Sequence, residues 1–194
     1  IATGQATSAT TTLPLTVVAV DDAPTVGSAT VSLSEEGLAG GIADSSGSPD
    51  TTDAATATGT IAIADVDSGS LSVTLVAPTA TLTSGGTTIT WSGSGTQTLV
   101  GYAGATEVIR ATVDDAGHYT VTLSKGIDQS GSGEGAGSFG IGISVGDGVN
   151  VATGTINVTV EDDAPTASNA MVSLAGTSTQ TNLAIVLDLS GSMG

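Results

Sequence analysis

Cysteine is absent from this 194-residue chain, so no disulfide can hold it together. Small extracellular domains without disulfides have metal as their alternative staple. Basic residues are nearly absent too. Arg110 and Lys125 stand against 19 acids, for a formal net charge of −17. With no basic surface, neither nucleic acid nor anionic lipid is an expected partner. The aromatics are Trp91, Tyr102, Tyr119 and Phe139, so a core has to be aliphatic. His118 is the only histidine, and no residue pattern gives it a nucleophile and an orienting partner, so a non-catalytic protein is expected. No apolar run is long enough to cross a membrane. The N-terminus has no initiator Met, basic start or apolar stretch, so the chain is expected to be an excerpt of a longer protein.

What is present is strand composition. Hydrophobic residues make up 39 % of the chain and the mean hydropathy is +0.32, unlike a disordered acidic tail. Val, Ile, Leu and Ala are interleaved with Thr and Ser, and 28 glycines supply turns. A chain this acidic repels itself unless something neutralises it, and divalent cations are the obvious candidates.

An internal repeat organises the chain. Asp21-Asp22-Ala23-Pro24-Thr25 recurs as Asp162-Asp163-Ala164-Pro165-Thr166, an offset of 141 residues (162 − 21). Ala29, Val31, Ser32 and Leu33 match Ala170, Val172, Ser173 and Leu174 in the same register. An alternating run precedes each copy, Leu15–Val20 and Ile156–Val160. The simplest parsing gives residues 1–20 as the end of one module, 21–161 as a whole module, and 162–182 as a linker and the start of another unit.

Within 21–161, short strands are expected at Ala29–Ser34, Gly59–Ala64, Ser70–Val76, Thr87–Ser92, Glu107–Val113, His118–Leu123, Phe139–Val145 and Thr153–Val160. Asp114-Asp115-Ala116-Gly117 falls between two of them as a hairpin turn. No segment has a useful helical period. The expectation is an all-β sandwich, whose chain ends can leave at opposite poles.

The acids gather at strand ends and linkers: Asp21/Asp22, Glu35/Glu36, Asp65/Asp67, Asp114/Asp115, Asp147 and Asp162/Asp163. Calcium takes six to eight oxygen ligands, and loops at a sandwich pole can supply them. The Asp65-Val66-Asp67 spacing sets two carboxylates on one side of an extended segment or turn, within reach of one ion.

Asp-Asp-Ala-Pro-Thr, Val31-Ser-Leu-Ser-Glu-Glu-Gly37, Gly59-Thr-Ile-Ala-Ile-Ala-Asp-Val-Asp-Ser-Gly69 and Gly117-His-Tyr-Thr-Val-Thr-Leu123 resemble the Ig-like and cadherin-like (VCBS-type) repeats of giant type I-secreted RTX adhesins. The resemblance covers residues 21–163, with 1–20 as a partial copy. It implies a calcium-stabilised extender of a secreted bacterial surface adhesin, active in cell adhesion and biofilm formation and associated with the outer membrane. The partners it implies are neighbouring repeats in the same chain, with host or biofilm ligands bound by other domains. It also implies a monomer without membrane insertion. Carried over residue by residue, Glu35, Asp65, Asp67, Asp147, Asp162 and Asp163 are the implied calcium ligands of this module. Asp21 and Asp22 would serve the junction before it, and Glu36, Asp114 and Asp115 are weaker candidates. The second copy departs from the pattern: Ala175-Gly176 stands where the first has Ser34-Glu35.

Leu183–Leu187 is a continuous apolar run, the pattern of a buried parallel strand. It leads into Asp188-Leu189-Ser190-Gly191-Ser192, which resembles the first strand and metal-site loop of a von Willebrand factor A domain. The resemblance implies that Asp188, Ser190 and Ser192 hold magnesium or another divalent ion in a complete domain. Residues 183–194 carry only its beginning, so residues 176–194 are expected to be poorly ordered or packed opportunistically, without a working site. The Gly-rich run Ser130–Gly142 lacks a Lys and a following helix, so it is not a phosphate loop. A second reading makes this a carbohydrate- or peptide-binding module of the same adhesin, using the loop Ala39–Ala57 and the Trp91/Tyr102 pair.

Overall fold

The computed structural model describes residues 1, 3–4, 11–18, 20–42, 51–130 and 135–163. Twelve strands follow in order: β1 (Thr25–Val26), β2 (Ser28–Ser34), β3 (Thr56–Thr60), β4 (Ile63–Ala64), β5 (Ser72–Val76), β6 (Thr83–Ser84), β7 (Thr87–Ser92), β8 (Thr98–Ala103), β9 (Thr106–Val113), β10 (His118–Leu123), β11 (Ala136–Gly146) and β12 (Val151–Glu161). A 3-10 turn at Glu35–Gly37 is the only helical element among the described residues. The chain is an all-β sandwich. One sheet has the order β3-β10-β9-β8-β7-β6, the other β2-β12-β11-β5, and β1 pairs separately with β4. Every pairing is antiparallel except that of β2 with β12.

Period-2 patterning builds the core. Phe139, Ile141, Ile143 and Val145 of β11 point inward, as do Ile156, Val158 and Val160 of β12, with Gly, Ser, Thr and Asn between them. Leu99, Ile109, Ala111, Val121 and Leu123 face them from the other sheet. Each fully buried aliphatic side chain contributes roughly 1.5–3 kcal/mol, which suits a core with few aromatics. The rings of Trp91 and Phe139 meet at 6.4 Å between centroids, at the edge of this core.

Three expectations need correction. Leu15–Val20 forms no strand over its described residues, and Leu15, Val17, Val18 and Val20 are exposed. The equivalent Ile156–Glu161 lies between β11 and β2, whereas the earlier copy has no neighbouring strand among the described residues, and an unpaired alternating segment is not a stable strand. The expected strand Gly59–Ala64 is two elements. The chain leaves the larger sheet at Ile61, whose amide donates to Gly117 O at 2.9 Å, and Ala62 O then accepts from Gly27 N at 2.8 Å.

The third correction is β8, which has no counterpart among the expected strands. Gly101 takes the inward position there because Ile89, Ile109 and Trp91 fill the space a side chain would need. Its neighbour Val100 lies in register with Arg110 and outside the core cluster, so the hydrophobic alternation is inverted. A bulge opposite Gly101/Tyr102 also inserts Val108 as an extra residue in β9. That sets Glu107 and Arg110, three apart, on one face, where Arg110 Nε donates to Glu107 at 2.8 Å.

The Asp114–Gly117 hairpin turn between β9 and β10 is as expected. Gly117 has φ +83°, and Ile61 O lies against the position of its absent Cβ. Gly117→Ala should therefore cost about 1–3 kcal/mol in urea unfolding, from left-handed backbone strain plus a backbone clash.

Candidate metal sites at two acidic poles

The strand β12 has 11 residues and so spans roughly 33 Å. Expected calcium ligands cluster beyond each of its ends.

Before its start, the β11–β12 hairpin turns on Asp147, whose Oδ1 accepts from the amides of Val149 and Asn150, both at 2.7 Å. Asn150 Nδ2 donates to Asp21 Oδ2 at 2.6 Å. The Asp22 amide donates to Asp67 Oδ2 at 3.2 Å. Asp65 Oδ1 accepts from the amides of Asp67 (3.0 Å) and Ser68 (2.8 Å), closing the Asp65–Ser68 turn. This pole therefore gathers Asp21, Asp22, Asp65, Asp67 and Asp147.

Among the described residues, two oxygens of this pole are buried without a donor, Asp65 Oδ2 and Asp147 Oδ2. Leaving a buried acceptor unsatisfied costs roughly 1–3 kcal/mol. The Asp65 and Asp67 carboxyls interact directly with each other. Amide donors at Ser68 and Asp67 pull Asp65 below the usual range. On Asp67 the Asp22 amide pulls downward but is outweighed, and the net direction is up, through the bond to Asp65, burial and repulsion from Asp21 and Asp65. A divalent cation would bridge the two carboxyls and satisfy the orphaned oxygens.

Beyond the other end of β12, Ser34 Oγ accepts from the Glu36 amide at 3.1 Å and starts the 3-10 turn. The turn aims Glu35 at the loop after β10, where its Oε1 accepts from Ile127 N at 2.7 Å. Gly126 makes room, since a Cβ there would collide with the carboxylate. Asp163 Oδ1 accepts from Ile42 N at 2.9 Å, and the Asp162 amide donates to Gly135 O at 2.8 Å. Burial, with repulsion from Asp162, Asp163 and Asp128 and against the pull of the Ile127 amide, lifts the Glu35 carboxyl from 4.5 to about 7. Burial and the charge of Asp163 also raise Asp162.

These shifts fix a pH response. The folded state holds the Glu35 proton more tightly than the unfolded chain does. Metal-free stability therefore falls as pH rises from about 4.5 to about 7 and levels off above that. The upward shift of Asp162 acts in the same direction. Asp65, Asp114 and Asp128 are shifted down, so they lose their contributions only as pH falls through the ordinary carboxylate range and below. In chelator, the unfolding midpoint should be higher at pH 5.5 than at pH 7.5, and Glu35→Gln should flatten that slope.

The weaker candidates at the β9–β10 turn have structural work. Asp114 accepts from the Ala116 and His118 amides and pairs with His118 Nδ1 at 2.9 Å. Asp115 Oδ1 accepts from Val73 N and from Gln97 Nε2. Trp91 lies opposite Gly101 and Tyr102 opposite Thr90, so the two aromatics project from opposite faces and form no shared platform. A cleft of about 310 Å³ is lined in part by Leu82, Ile127 and Phe139. Two of its polar side chains are engaged: Gln129 Nε2 donates to Val160 O, and Asp128 accepts from the Gly85 and Gly86 amides.

Glu161 was not singled out from sequence, yet it is only 4 % exposed. Its Oε1 accepts from Thr51 N (3.1 Å) and Thr51 Oγ1, and its Oε2 from Thr52 N at 3.3 Å. The signal available was an acid directly ahead of the repeated Asp pair, where the first copy has Val20. Asp188, Ser190 and Ser192, and the expectation of poor order over residues 176–194, lie outside the described residues. Among the described residues, no three His, Cys, Asp or Glu side chains form a ready-made metal site. No family model, curated protein or solved structure matches this chain.

Proposed function

We propose that this chain carries a calcium-stabilised, non-catalytic extender module of a secreted bacterial surface adhesin. The observation that carries the reading is the pair of acidic poles, separated by the length of β12 and linked by the 141-residue repeat. Asp21-Asp22 and Asp162-Asp163 are the same sequence element at the two poles. One meets Asp65, Asp67 and Asp147 ahead of β12; the other meets Glu35 beyond it. In a tandem array each junction would combine three contributions: a Glu35-type acid from one module, the Asp pair of the linker, and Asp65, Asp67 and Asp147 types from the next. A site divided in this way accounts for poles that each hold only part of a ligand set. The orphaned oxygens of Asp65 and Asp147 support an ion at the first pole.

The residues fit calcium: they are hard oxygen donors with no sulfur or imidazole among them. Calcium would supply charge neutralisation and a rigid link between loops. The protein supplies the turns that present the carboxylates. Titration calorimetry in metal-free buffer tests this. Wild type should take up calcium, and the Asp65→Asn/Asp67→Asn double variant should bind at least tenfold more weakly. Absence of binding heat at any temperature, together with an unchanged unfolding midpoint, would remove calcium from the reading. The carbohydrate reading is weaker, because Trp91 and Tyr102 lie on opposite faces.

A further inference from the structure

We propose that Glu161 is a positioning residue that fixes the exit direction of the Asp162-Asp163 linker without a metal ion. Its importance for an array rests on the extender reading; the clasp itself does not.

Glu161 closes β12, in register with Ser34 of β2 and Ala136 of β11. A carboxylate buried here is costly unless hydrogen-bonded. It is satisfied by one segment, the two amides and one hydroxyl of Thr51-Thr52. Three of its roughly four lone-pair sites are thereby filled by protein donors, which leaves little capacity for an ion. The neighbouring acids have the opposite disposition. Asp162 and Glu35 are only partly buried and repel other carboxylates. Labour at this pole is therefore divided: Glu161 holds backbone, and its neighbours are left to meet a cation.

The clasp is one of several ties around the linker. Ser34 N donates to Ala54 O at 3.0 Å, and Ile42 N donates to Asp163 at 2.9 Å. Gly37 lies so close to Asp53 and Ala55 that a Cβ would strike their backbone. Ile42 thus holds Asp163, Thr51 and Thr52 hold Glu161, and the Asp162 amide is tied to Gly135 O at 2.8 Å. At the equivalent place in the preceding copy stands Val20, whose side chain has no acceptor. The two junctions consequently differ: the one after Glu161 is directed by protein contacts as well as charge, and the one after Val20 lacks that clasp.

Backbone relaxation and hydrogen exchange on the full chain in chelator test the assignment. In wild type, the Asp162 and Asp163 amides should have order parameters near the rigid value of about 0.85, and the Thr51 and Thr52 amides should be protected. Glu161→Leu should drop the Asp162 and Asp163 values below about 0.6 and release both threonine amides, while the Ile143 amide stays protected. If that variant fails to fold, Glu161→Gln, which keeps one acceptor oxygen, should restore folding with intermediate protection of Thr51 and Thr52. Two results would overturn the proposal: order parameters that match between wild type and variants, or wild-type values that rise only when calcium is added. A calcium-insensitive unfolding midpoint with the clasp intact would instead strike the calcium reading alone.

Discussion

Chelator-stripped protein brought to a hundredfold calcium excess over Kd should gain on the order of 2.7 kcal/mol of stability. For a module of this size that is a rise of roughly 5–10 °C in the unfolding midpoint. Asp67→Asn should respond with opposite signs in the two conditions. In chelator it removes one charge from a crowded pole, at the carboxyl whose net shift is upward, and supplies an amide that can bond Asp65, so its midpoint should equal or exceed that of wild type. In calcium it removes a ligand, so its midpoint should fall below. Calorimetric scans of both proteins in both buffers give the four numbers needed. A midpoint unmoved by calcium in wild type, or an Asp67→Asn effect of one sign throughout, would contradict an ion at this pole.

Ile143→Ala should destabilise the module by about 2–5 kcal/mol. Ile143 is 1 % exposed at the centre of β11, between Leu75 of β5 and Gly154 of β12. Gly154 sits directly against the Gly27 backbone, so β12 has little freedom to move into the space left behind. With few aromatic rings in the core, no large neighbour can swing in either. Thr90→Ala on the exposed side of β7 should stay within about 0.5 kcal/mol, which separates a cavity effect from a general loss of strand propensity. Denaturant unfolding of the two variants, at unchanged m-value, checks the contrast.

The sandwich was legible wherever hydrophobic alternation was intact. His118–Leu123 alternates cleanly, and its expected bounds match β10. The pattern failed where packing overrode it. In β8 an inward glycine and an outward buried valine invert the signal, and in β9 the bulge at Val108 shifts its phase. At Leu15–Val20 the alternation is present but a neighbouring strand is not among the described residues. Sequence also gave the acids that gather at strand ends, because paired carboxylates need no tertiary information to be noticed. It could not assign them to poles. That Asp147 approaches Asp21 through Asn150, or that Glu35 reaches Ile127, depends on which strands lie side by side. Glu161 went unremarked because a single acid at a strand end looks like any solvated one until its burial is known.

The parallel ladder of β2 against β12 bears on how the molecule carries load. Seven residue pairs join them, from Ser28 opposite Thr155 to Ser34 opposite Glu161. Tension on a tethered chain would pull β2 from its N-terminal end and β12 from its C-terminal end. Because the strands run the same way, those forces slide one along the other instead of peeling them apart. The bonds of the ladder then resist together, not one after another, so the sandwich is at its strongest along the line in which a tether is drawn taut.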